Sequence, residues 1–115
     1  MHELMTRLRS FASSRSWEQF HSPKNLSMAL AVEVAEILEH FQWLTEEQSR
    51  AVDPEKLAKI KDEIGDVLIY LVRLADELGI DPLEAANEKL EKNEAKYPDD
   101  KVKGKALKYN EYPDE

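Results

Sequence analysis

The chain has 115 residues, with 24 acidic against 16 basic side chains, a formal charge of −8 and no cysteine. One domain of ordinary size fits that length, and so acidic a surface excludes a protein that grips duplex nucleic acid through a dominant basic face. Disulfides, thiolate metal centres and cysteine nucleophiles are excluded too, and three Gly with five Pro are too few for a sheet of many short strands.

Apolar spacing and helix punctuation draw four helices. The first runs from about Glu3 to Ser13, with Leu4, Leu8, Phe11 and Ala12 on one face. The loop that follows, Ser14 to Pro23, carries Trp17, Phe20 and His21, although a loop has no helical period that calls for large aromatics. The second helix starts at Lys24 or Asn25 and reaches Trp43. Polar Thr45 to Ser49 lead to Asp53-Pro54, an Asp cap with proline in the first helical position. The third helix continues from Pro54 to about Leu78, where Gly79 stops it. Asp81-Pro82-Leu83-Glu84 repeats the cap and opens a fourth helix that runs to Lys96 or Tyr97. Residues 98–115 have no period and read as a tail that orders only against something else.

At about 1.5 Å per residue the third helix is roughly 37 Å long, whereas a compact chain of this size has a radius of gyration of only about 13 Å. Its apolar face, from Ile60 through Ile64, Val67, Leu68, Leu71 and Leu74 to Leu78, overhangs a monomer. The expected architecture is therefore all-α and four-helix-bundle-like, assembling as a symmetric oligomer. No apolar run reaches the roughly 18 residues of a membrane span and the first residues have no signal-peptide core, so a soluble, cytoplasmic protein is expected.

Four acids do not fit a solvated surface. On a wheel of about 100° per residue, Glu33 falls within roughly 40° of Leu26 and Ile37, and Glu36 falls between Ala29 and Trp43. Glu39 is turned further toward the polar side. On the third helix Glu63, Asp66 and Tyr70 form one ridge along the border of the core face. Each helix thus carries two carboxylates one turn apart. If the helices pack, four anions meet in a half-buried space, and burying ionised carboxylates unpaired is costly. Something positive is required there. Oxygen donors without cysteine or a histidine cluster suit a hard cation, Mg²⁺ or Mn²⁺. Ion pairing is the simpler alternative: His40 follows Glu36 by four residues, Lys59 precedes Glu63 by four, and Arg73 follows Asp66 by seven. It accounts for any one acid more readily than for matched pairs on two core faces. A di-iron centre wants Glu-x-x-His on two helices, and that spacing occurs only from Glu18 to His21, in the loop.

Glu33-Val-Ala-Glu36, followed by Glu63-Ile-Gly-Asp66, resembles the metal signature of the MazG-like nucleotide pyrophosphohydrolases. Trp17-Glu-Gln-Phe-His21, Pro23-Lys-Asn-Leu26, Phe41-Gln-Trp43, Asp66-Val-Leu-Ile-Tyr70, Lys96-Tyr-Pro98 and Lys108-Tyr109 resemble the dCTP pyrophosphatase branch of that superfamily. The likeness runs from about Ser10 to Tyr109. It implies a MazG fold in one domain over 1–115 and dimers or tetramers, while the acidic charge and the lack of a long apolar run lead to the expectation of no nucleic-acid or membrane partner. It also implies hydrolysis of a nucleoside triphosphate, first of all dCTP or a 5-modified dCTP, to monophosphate and pyrophosphate, a house-cleaning of the nucleotide pool. Mg²⁺ falls to Glu33, Glu36, Glu63 and Asp66, and the attacking water's proton goes to one of these four carboxylates or to Glu39, with Glu36 the favoured acceptor.

For the base, Trp17, Phe20, Trp43 and Tyr70 offer stacking faces and His21 or Asn25 can read polar edges, whereas Phe11 and Phe41 are expected in the core. Arg15, Lys24, Lys96 and Lys108 are the expected phosphate contacts, with Asn93 as a further donor. Lys108 and Tyr109 imply a tail that folds over the substrate. Two departures stand out: Ser16 replaces a commonly acidic residue, and the first helix brings Leu8 and Phe11, not a histidine, to the base side.

Rival readings within the superfamily are a dUTP-type or a phosphoribosyl-ATP pyrophosphohydrolase, which the acidic pairs do not separate. A reading from another class is a non-enzymatic acidic helical interaction module, which expects no Mg²⁺ binding and tolerance of Glu63→Gln.

Overall fold

The computed structural model describes residues 1–97, and among these every regular element is helical. They fall into two compact units, Met1–Ile80 and a second beginning at Asp81. The first contains α1 (His2–Ser14), a 3-10 turn (Glu18–Phe20), α2 (Pro23–Phe41), the single turn α3 (Glu46–Ser49) and α4 (Pro54–Glu77). The second opens with α5 (Pro82–Lys96).

Three of these helices start in the same way, because a proline fixes φ at the first position while the preceding side chain accepts an otherwise unpaired N–H. The Asn25 N–H donates to Ser22 Oγ (3.1 Å), the Lys56 N–H to Asp53 Oδ1 (2.9 Å), and the Leu83 and Glu84 N–H groups to Asp81 Oδ1 (2.9 and 3.1 Å). The polar stretch after α2 is not simple coil. Thr45 and Gln48 cap each other reciprocally, at 2.9 and 3.1 Å, and close α3. Helix α2 stops at Phe41, so Trp43 lies beyond its end and not within it.

Within the first unit α2 packs along α4, and α1 also packs on α4. Ala12, Leu26, Ile60, Val72 and Ala75 are buried, and Val67 and Leu74 are half-buried. A second apolar stripe of α4 stays exposed: Leu57, Ile64, Leu68, Leu71 and Leu78, at steps of three, four and seven residues. Met28, Val32 and Leu38 are exposed on α2. No helix among the described residues is long and apolar enough to cross a membrane.

Candidate active site

The packing of α2 on α4 turns the two acidic pairs toward one another. Burial is the first cause that raises the Glu33 carboxyl above its ordinary pKa; hydrogen bonding to the Glu36 side chain and the charges of Glu36, Asp66 and Glu63 add to it. Glu33 Oε2 is buried and has no hydrogen-bond partner. Glu33, Glu36 and Glu63 are half-buried, and Asp66 is exposed. As the side chains stand, no three acidic or histidine groups among the described residues converge on a point where one ion would fit.

The simple ion-pair account holds only in part. His40 meets an acid, but across the helices: its Nε2 lies 2.7 Å from Glu63 Oε2, a contact outside good hydrogen-bond geometry. Arg73 turns away from Asp66 and pairs with Asp76 and Glu77, Nη2 lying 2.9 Å from Glu77 Oε1.

Beside the acids lies a cavity of about 310 Å³, near the lower end of the roughly 300–1,000 Å³ usual for small-molecule sites. Leu8, Phe11 and Ala12 of α1 form one wall, and Ile69, Tyr70 and Arg73 of α4 another. Trp17 and His21 enter from the loop, and Glu33 and Asp66 bring the carboxylate cluster to the rim. A larger, more open hollow of about 650 Å³ lies around Arg9, Asp76 and Glu77, and none of the four acids lines it.

The loop aromatics are held by local backbone bonds. The Trp17 N–H donates to the Ala12 carbonyl (3.0 Å), the Phe20 N–H to that of Trp17 (2.8 Å), and Asn25 Nδ2 to that of Phe20 (3.0 Å). The Trp17 ring stands edge-on to Phe11, centroids 5.6 Å apart, and to His21 at 6.4 Å. Burial, then the Arg73 charge, lowers the His21 pKa against the pull of Glu77, so the ring is neutral at pH 7. Its Nδ1 is buried without a partner.

The structure thus brings Trp17, His21 and Tyr70 together with Glu33 and Asp66 at one cavity. The other expected contacts of the first unit stand apart from it. Trp43 is 87% exposed past the end of α2. The Arg15 guanidinium stacks 3.6 Å over the Phe11 ring and donates to the Phe11 carbonyl (3.1 Å). Asn25 is engaged by Phe20, and Lys24 is exposed on the first turn of α2. Phe20, another expected stacking face, is exposed and outside the cavity wall. Asn93 and Lys96 belong to the second unit, and Lys108 and Tyr109 lie outside the described residues. Phe11 corrects a core expectation: it is 47% exposed because it faces the cavity. Phe41 is only half-buried. Arg73 was missed as a wall residue, though its spacing from Asp66 and Tyr70 continues their ridge at seven and three residues.

The model of the MazG-like family matches residues 28–112. The chain belongs to the MazG-like family. It is 44% identical to dCTP pyrophosphatase 1 of Mus musculus and 41% identical to that of Homo sapiens, over 105 residues in each case. Each match covers 90% of this chain but 62% of the relative, so the chain spans about three fifths of the length of these proteins. A pyrophosphatase from Archaeoglobus fulgidus superposes with a TM-score of 0.81 at 46% identity, over 85% of this chain and 92% of that one.

Proposed function

We propose that this chain hydrolyses a nucleoside triphosphate to the monophosphate and pyrophosphate with Mg²⁺ or Mn²⁺, and that its preferred substrate is dCTP or a 5-modified dCTP. The observation that carries the reading is the shared wall, with aromatic faces and two of the four acids, Glu33 and Asp66, bordering one cavity. The relatives named dCTP pyrophosphatase 1 support the choice of substrate.

The donor set fits a hard divalent ion. It is all oxygen, it includes the buried and unpartnered Glu33 Oε2, and its neighbours oppose the ionisation of Glu33. Mg²⁺ keeps several waters and needs only one or two carboxylates, and Glu33, Glu36, Glu63 and Asp66 are the residues that would supply them. When bound, the ion supplies charge neutralisation on the phosphoryl oxygens and a lowered pKa for the attacking water.

The remaining work belongs to the chain. The Glu36 carboxylate accepts the water's proton, with Glu39 behind it. Trp17 and Tyr70 stack on the base, and neutral His21 offers one donor and one acceptor to its edge. Lys24, with Arg15 and Asn25, completes the grip on the rest of the nucleotide. A second copy of the chain covers the exposed stripes of α2 and α4 near Trp43, in a symmetric dimer or tetramer. Such an enzyme would clean the cytoplasmic nucleotide pool.

The test is product analysis on a panel of canonical and modified deoxynucleoside triphosphates with Mg²⁺. Monophosphate and pyrophosphate, formed fastest from a cytosine nucleotide, are expected. Diphosphate and phosphate, or no cleavage, would overturn the reaction. A different leading base would remove cytosine and leave the hydrolysis.

A further inference from the structure

Arg73 is the charged residue buried in the core of the described chain, at 4% exposure. Its charge is already balanced. Nη1 lies 3.4 Å from Asp76 Oδ2 and Nη2 lies 2.9 Å from Glu77 Oε1, while Arg9 grips Asp76 from α1 at 2.6 and 2.7 Å. Two guanidinium groups thus face two carboxylates. Its hydrogen bonding is not balanced, because the Nε–H is buried with no partner. His21 Nδ1, in the same cavity wall, is in the same state. A buried donor left unmade costs about 1–3 kcal/mol, so ion pairing explains the Nη atoms and leaves Nε unexplained.

Ion pairing also leaves unexplained why a guanidinium stands in the wall of a largely apolar cavity. Apart from the rim carboxylates, the polar groups there are rich in donors: Arg73, the Trp17 indole and the Tyr70 hydroxyl. His21 can present either a donor or an acceptor. A ring that enters this cavity is therefore matched best when its inward edge accepts.

We propose that Arg73 is a specificity-determining residue of the cavity, selecting a base whose inward edge carries hydrogen-bond acceptors, as a cytosine ring does at O2 and N3. The proposal rests on the reading of the cavity as a nucleobase site, and it concerns binding, not cleavage. A site built to hydrogen-bond a ligand rejects a shape-matched analogue that lacks those groups, since its own polar atoms are then left unpaired.

The test is an NMR titration with dCMP and with the phenyl C-nucleotide monophosphate, a ring of the same stacking area with no acceptor. The wild type should bind dCMP at least about tenfold tighter. Arg73→Met should close most of that gap without loss of fold, because Asp76 keeps Arg9 and Glu77 reaches solvent. Arg73→Lys should restore part of it. An equal gap in the wild type and Arg73→Met, or no gap in the wild type, would overturn the proposal. Should Arg73→Met not fold, Arg73→Lys decides, since an undiminished gap there overturns it as well. A chain that binds dCMP in this Arg73-dependent way yet cleaves no triphosphate would keep the inference and lose the proposed reaction.

Discussion

Helix α4 carries two acidic pairs, Glu63 with Asp66 and, about three turns later, Asp76 with Glu77. The later pair is met by cations from two helices. Hydrogen bonding to Arg9 is the main reason the Asp76 carboxyl is held below the usual carboxylate range. The earlier pair faces two more acids on α2, and among the described residues the cation-capable group that meets the cluster is His40, at Glu63. One cluster is a finished ion network, whereas the other carries a carboxylate whose ionisation its surroundings oppose. Net charge does not separate the two; partners do.

The largest expected effects break this contrast directly. Glu36→Gln and Glu63→Gln should each lower kcat by about 10³-fold or more while the chain folds normally or more stably, because crowding among anions is relieved. Asp76→Asn should do the reverse to stability, losing about 1–3 kcal/mol, because it takes a charged hydrogen-bond partner from the buried Arg73. Paired kcat and urea-unfolding measurements check both, and stability lost in the Glu variants would place those acids in a structural network.

Next in size are the two tryptophans. Trp17→Ala should raise KM by about tenfold or more with a smaller change in kcat, since stacking on a base is worth roughly 1–3 kcal/mol. Trp43 lies outside the cavity of its own chain, so an effect of Trp43→Ala on KM requires a second copy. It should then appear together with a weakened oligomer in sedimentation. A KM effect from Trp43 in a monomer would contradict that assembly.

The two clusters should also respond oppositely to pH. The folded pKa of Asp76 is depressed, so its contribution is present above its unfolded value near 4 and is lost as pH falls through the lower folded value. The folded pKa of Glu33 is raised, so its contribution is fully present below its unfolded value, also about 4, and is lost as pH rises through the folded value. In chelator, the Glu33 contribution should therefore grow as pH falls from 7 toward about 4, against the opposite contribution of His21, whose folded pKa is lowered, so the melting temperature of Glu33→Gln relative to the wild type should drop as pH falls. Millimolar Mg²⁺ should raise the melting temperature at pH 7 by binding only the folded chain, by about 2.7 kcal/mol at a hundredfold excess over Kd. No Mg²⁺ shift would count against a metal site.

Much of this was legible in the sequence because it is local. Ser22-Pro23, Asp53-Pro54 and Asp81-Pro82 fix three helix starts through caps that span only three residues. The periodicity of α2 and α4 puts Glu33, Glu36, Glu63 and Asp66 at the edge of the apolar faces. What escaped needs two elements at once. A helical wheel ranks residues within one helix, so it pairs His40 with Glu36 and cannot see Glu63 across the interface. It likewise assigns Phe11 to a core, because an apolar residue lining a cavity and one filling a core have the same period. Arg73 had an acid at one ridge spacing and two more at another, and only the packed structure decides between them.

The smallest effect compares the ends of α1 and α4, which share one hydrogen-bond pattern. At α4, the Gly79 N–H donates to the Asp76 carbonyl and the Ile80 N–H to that of Ala75; at α1, Ser16 donates to Ser13 and Trp17 to Ala12. Both are Schellman closures, which place the residue after the cap in the left-handed region. Gly79 occupies it at φ 69° without strain, whereas Ser16 is held at φ 55° with a Cβ. Ser16→Gly should stabilise the chain by about 0.5–1 kcal/mol, and Gly79→Ser should cost about 1 kcal/mol. A Cβ at Gly79 would meet nothing within 4 Å, so that cost comes from the backbone alone. Urea midpoints of the two variants, moving in opposite directions, check the pair. The backbone of Ser16 leads directly into Trp17, so relieving Ser16 should leave KM unchanged only if the Ala12–Trp17 bond, and not the strained residue, sets the angle at which the indole enters the cavity.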